Sequence, residues 1–130
     1  MDPLSITMAC VTAIGTISKA SIEVPRFISS VREARKDMEA VLRELISLTL
    51  CLGVIRDDAE KVTFPTTLLA VVQSCDAIAA EIISLLDKLR LKKSGRIRWT
   101  LTERDAVNKL RSSLESHKSC IDVALDMASM

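Results

Sequence analysis

The chain has 130 residues, 48% of them hydrophobic and 27% charged, with a formal net charge of +1. That length suits one domain with a core of its own. The composition excludes a disordered chain, and the near-neutral charge excludes a global field that recruits nucleic acid.

Only three glycines and three prolines interrupt the chain, which implies few turns and long elements. Ala, Leu, Ile, Ser, Lys, Arg and Glu dominate, favouring helix over strand. The first segment runs from Pro3 to about Ile22. Asp2 is a fair N-cap, and Pro3 suits the first helical position. No charge occurs from Pro3 to Ser18, and Leu4, Ile6, Met8, Val11, Ile14 and Ile17 supply the large apolar side chains. Such a stretch spans roughly 24 Å as a helix, short of the ~30 Å hydrocarbon core. A constitutive transmembrane helix is therefore not expected. Nor is a signal peptide, because the start is acidic. Structurally, the segment fills the middle of a bundle. Functionally, it is apolar enough to leave the bundle and insert when several copies gather, with Ala9, Ala13 and Gly15 allowing close helix approach in lipid.

Pro25 either kinks one long helix or begins a second. Phe27, Ile28, Val31 and Ala34 form a short apolar stripe, and the polar run Arg32 to Asp37 suits a tight turn. The spacing predicts a helix from about Arg35 to Lys61, with Met38, Val41, Leu42, Leu45, Leu48, Leu52 and Ile55 on one face. Thr63-Phe64-Pro65-Thr66 is a break. A further helix follows from about Pro65 to Leu91. Its wide apolar face suggests a central position touching several neighbours. Lys92-Lys93-Ser94-Gly95-Arg96 reads as a loop. Thr100 and Glu103 match a capping box that opens the last helix. Val107, Leu110, Leu114, His117, Ile121, Ala124 and Ala128 form its seam. Together these elements predict an all-α, up-and-down bundle of four to five helices.

No constellation for catalysis emerges, and no enzyme activity, cofactor or metal is expected. Gly15, Gly53 and Gly95 are isolated, so no phosphate-binding loop exists. His117 and Cys120 share a helix face and could offer two zinc ligands. The remaining ligands would have to come from distant helices, so a packed histidine is the simpler reading. Cys10, Cys51, Cys75 and Cys120 lie far apart in sequence and mostly in apolar patterns, as buried thiols do. From Lys88 to Arg98 the chain carries Lys88, Arg90, Lys92, Lys93, Arg96 and Arg98, with Trp99 at the edge. This run is a solvated helix end complementing the helix dipole, or a patch for an anionic membrane surface. A nucleic-acid reading has little support, since one aromatic beside a basic run is a weak signature.

The start Met1-Asp2-Pro3-Leu4-Ser5-Ile6, the Phe27–Arg32 run, the pattern Leu42-x-Glu44-Leu45, Arg98-Trp99-x-Leu101, and Leu110-x-x-x-Leu114-Glu115-x-His117-Lys118 followed by Ala124-Leu125 carry a family resemblance. The chain resembles fungal HeLo-like N-terminal domains, which precede nucleotide-binding modules, ankyrin repeats or prion-forming tails. The resemblance covers nearly the whole chain and implies one domain over residues 1–130, at the N-terminal end of a longer protein. It implies a helical bundle related to the execution domains of mixed-lineage kinase-like pseudokinases and plant helper immune receptors. It further implies a role in programmed cell death, heterokaryon incompatibility and fungal innate immunity. On that reading an upstream NLR-type or amyloid-signalling receptor clusters the domain. The domain then oligomerises with itself and moves from the cytoplasm to the plasma membrane. Leu4, Ile6, Met8, Val11, Ile14 and Ile17 would enter the bilayer while the Lys88–Arg98 cations hold its anionic surface. The alternative is a non-lytic helical adaptor that binds another protein in such a receptor.

Overall fold

The computed structural model describes residues 2–92 and 99–128. They form four α-helices: α1 (Pro3–Ser30), α2 (Arg35–Asp58), α3 (Leu68–Lys92) and α4 (Leu101–Ala128). A short 3₁₀ turn, Arg32–Ala34, joins α1 to α2. No strand occurs among the described residues. The helices alternate in direction, as an up-and-down bundle requires.

The local signals explain where the helices begin. Asp2 caps α1 by accepting the Leu4 N–H on Oδ1 at 3.1 Å. Thr100 and Glu103 close the capping box: the Thr100 N–H donates to Glu103 Oε1 at 3.0 Å and the Glu103 N–H to Thr100 Oγ1 at 3.2 Å. Of the two roles open to Pro25, the structure takes the continuous helix, and α1 extends beyond the expected end near Ile22 to Ser30. Pro25 removes one backbone hydrogen bond, a disruption of ~3 kcal/mol in a helix interior. Its exposed position lets the ring face solvent, while Val24 and Phe27 on either side are fully buried. Burial of those two side chains offsets the loss.

The core is a single stripe from each helix. Ile6, Cys10, Ala13, Ile17, Ala20, Val24 and Phe27 of α1 meet Met38, Val41, Leu45, Leu48, Leu52 and Ile55 of α2 in one cluster with the buried faces of α3 and α4. α1 packs on α2 and α3, and α4 packs on the same two helices. Thus α2 and α3, consecutive in sequence, face each other across a diagonal, and residues 59–67 carry the chain over the end of the bundle. Phe64 plugs that end. The parallel neighbours are α1 with α3 and α2 with α4. No helix is central, contrary to the expectations for both α1 and α3. The wide apolar face of α3 serves two flanks, toward α1 and α4.

The opposite end is held by Trp99. Its backbone N–H donates to Glu33 Oε2 at 2.8 Å and its indole Nε1–H to Asp37 Oδ2 at 2.7 Å. Arg104 Nε–H reaches the same Asp37 oxygen at 3.2 Å. The indole meets Phe27 edge-on, with centroids 5.7 Å apart. One residue thereby ties the start of α4 to the α1–α2 corner.

Candidate functional site

The six α1 residues expected to meet a bilayer do not share one environment. Ile6 and Ile17 are core residues and Ile14 is half-buried. Leu4, Met8 and Val11 are 65%, 56% and 48% exposed, and Ile22, which the sequence reading left out, is 59% exposed. Positions 4, 8, 11, 15 and 22 recur at helical spacing, so they form one outward ridge. Gly15 lies on that ridge, and a Cβ there would meet nothing within 4 Å. Ala13 is buried and Ala9 half-buried, so of the three small residues only Gly15 is outward.

Because α1 continues to Ser30, its 28 residues span about 42 Å. This overturns the argument that the first helix is too short to cross a bilayer. By length and composition alone, both Pro3–Ser30 and Leu68–Leu91 suffice. In the bundle each buries a core stripe, which is an equally direct reason for an apolar sequence.

The basic run divides as well. Lys88 is exposed, without an ion pair among the described residues. Arg90 is engaged: Nη2 lies 2.7 Å from Glu23 Oε2 and 3.2 Å from Asp87 Oδ1. Glu23 is only 13% exposed at its side chain and also meets Arg26 at 3.4 Å. Arg90 therefore clamps α3 to α1, and its charge is compensated within the fold. The side chain of Lys92 and all of Lys93, Arg96 and Arg98 lie outside the described residues.

A second apolar stripe, unnoticed in the sequence, stands on α2: Ile46, Leu50 and Val54 are exposed. Their spacing of four falls between the core positions Leu45, Leu48, Leu52 and Ile55, which absorbed the periodic signal.

The chemistry-bearing residues are otherwise quiet. His117 is half-buried, with Nδ1 2.7 Å from the Ser113 carbonyl, a bond in which Nδ1–H donates. Among the described residues no three His, Cys, Asp or Glu side chains are grouped to hold a metal. The four thiols are free, and each sits about two turns from the same end of the bundle, one per helix. Cys10 and Cys75 are buried, which pushes their thiols up to about 11 and about 12. Cys51 is half-buried and its thiol is also raised, first by burial and then by Asp122, whose Oδ1 lies 3.7 Å away. Cys120 is exposed, against the buried-thiol expectation.

No curated protein and no solved structure matches the chain. The family model described as the N-terminal region of pigment biosynthesis cluster protein PigL matches residues 1–130. The chain therefore belongs to this PigL N-terminal family, a fungal family related to the HeLo-like domains but not identical with them.

Proposed function

We propose that this domain is an oligomerising signalling module that acts on membranes through α1, in the manner of the HeLo-like cell-death domains it resembles. The observation that carries this reading is the outward ridge Leu4, Met8, Val11 and Ile22 on a helix otherwise docked by its core face. A large aliphatic side chain fully transferred from water to hydrocarbon gains ~1.5–3 kcal/mol. One ridge binds weakly, so clustering by a receptor or amyloid segment supplies the avidity. Lys88, Lys92, Lys93, Arg96 and Arg98 add ~1 kcal/mol each near an anionic surface, whereas Arg90 is held by Glu23 and Asp87. The domain rests in the cytoplasm and acts at the plasma membrane without catalysis.

The test is leakage from anionic vesicles with the protein clustered through an appended oligomeriser. Clustered wild type releases dye, and Leu4→Ser/Met8→Ser/Val11→Ser lowers release at least tenfold with unchanged helicity. Intact vesicles at full clustering reject the membrane role. The exposed Ile46, Leu50 and Val54 favour a second reading, a helical adaptor for another protein. That reading expects partner capture without lipid, unaffected by charge reversal at Lys92, Lys93 and Arg96.

A further inference from the structure

Between the first turns of α1 and α3 lies an open groove of about 480 Å³. Met8, Ala9 and Leu69 form its apolar side; Ser5, Thr12, Gln73 and Asp76 bring polar groups. Asp76 Oδ1 is shut off from solvent and has no hydrogen-bond partner among the described residues. The helix across the groove cannot neutralise it, because α1 carries no cation from Pro3 to Ser18. Native folds leave few buried polar atoms unpaired, and each asks for a partner.

We propose that this groove binds a primary ammonium group carried on a short aliphatic stem. An ammonium has three donors and no acceptor. The groove is lined by four side chains able to accept: the Asp76 carboxylate, the Gln73 amide oxygen and the Ser5 and Thr12 hydroxyls. Because Oδ1 is shut off from solvent, the ligand meets the carboxylate through its other oxygen, and a half-turn about χ2 only exchanges the two. Met8, Ala9 and Leu69 receive the stem. Other cations fit less well. A quaternary ammonium seeks aromatic faces, and none lines the groove. A divalent metal takes six or more oxygen ligands, and the lining of the groove supplies a single carboxylate. Single waters, each filling about 30 Å³, satisfy an oxygen without neutralising its charge. A bound amine bridges α1 and α3 and stabilises the docked helix by mass action. This site shares Met8 with the outward ridge but does not rest on the membrane proposal, since its test reads amine binding and not leakage.

The chain is titrated with n-butylammonium chloride while the Gln73 side-chain amide and the Met8 methyl are followed by NMR. Both resonances are expected to shift saturably, and the melting temperature to rise with them. Asp76→Asn keeps the shape of the side chain and removes its charge; it should fold and bind at least tenfold more weakly. Tetramethylammonium and n-butanol at equal concentration should give no saturable shift. Absence of saturation, equal binding by Asp76→Asn, or an equal response to n-butanol overturns the site. Vesicles distinguish the source of the amine. Retention by phosphatidylethanolamine over phosphatidylcholine, lost in Asp76→Asn, assigns it to a lipid headgroup; butylammonium binding without such retention assigns it to a soluble amine.

Discussion

Trp99 does more for this fold than its place in a loop suggests. Two of its N–H groups meet carboxylates on another part of the chain, and its ring closes over Phe27. Trp99→Phe keeps an aromatic contact but deletes the indole donor to Asp37, leaving that carboxylate to Arg104 alone. A hydrogen bond to a charged group is worth ~1.5–3 kcal/mol. The variant should lose about 2 kcal/mol in urea unfolding. The buried thiols give a pH dependence with a definite sign. Unfolded thiols release protons near 9.0, whereas Cys10 and Cys75 hold theirs to about 11 and about 12. Between those values the folded state binds more protons than the unfolded one. Stability is thus fully present below pH ~9 and falls above it, on the order of 1 kcal/mol per pH unit for each thiol. Urea midpoints from pH 8 to 11 check the slope, and Cys75→Ala should flatten it. The sequence made the thiols look distant because separation along the chain hides that all four share one level of the bundle.

At the scale of the helix, α1 is defined by what fastens it. Its core stripe holds along the whole length, and Glu23 adds a lateral tie to Arg90 of α3. Both side chains are partly exposed, so solvent screening keeps the ion pair near 1 kcal/mol or below. Arg90→Gln should leave the fold intact and speed amide hydrogen exchange in residues 17–30. If α1 is the membrane-active helix, the same change lowers the degree of clustering needed for leakage. That outcome is opposite to the one expected when Arg90 is treated as a lipid ligand. Sequence patterns located the helices well where capping chemistry was local, as at Asp2 and at Thr100 with Glu103. They left α1 ambiguous at Pro25, because a proline states only what its own backbone lacks. Whether Val24 and Phe27 have a core to enter is decided by the other helices.

Across the whole molecule, binary patterning was enough to indicate an all-α bundle but not its wiring. Short connections suggest that consecutive helices are neighbours. Here residues 59–67 reach across the end, and α2 lies diagonal to α3. A period of 3.6 residues marks which face of each helix is apolar, but not which neighbour that face meets. For the same reason the candidate surface was only half legible. Ile6 and Ile17 cannot be told from Leu4 and Val11 by residue type, since a nearly uncharged helix offers no polar face for contrast. The ridge residues carry little of the packing, so the triple serine variant should change unfolding free energy by only about 0.5 kcal/mol per site or less. Chemical denaturation of that variant separates a lost function from a lost fold.

The square arrangement has a consequence for timing. α1 is the corner shared by α2 and α3, so lifting it away bares a flank of each and leaves an empty trough in the remaining three-helix wall. In dilute solution that trough would refill with the same helix at once. A neighbouring molecule opened in the same way could fill it instead, which makes detachment and assembly a single event. Leakage should therefore rise more steeply than the first power of protein concentration, a dependence readable from initial rates.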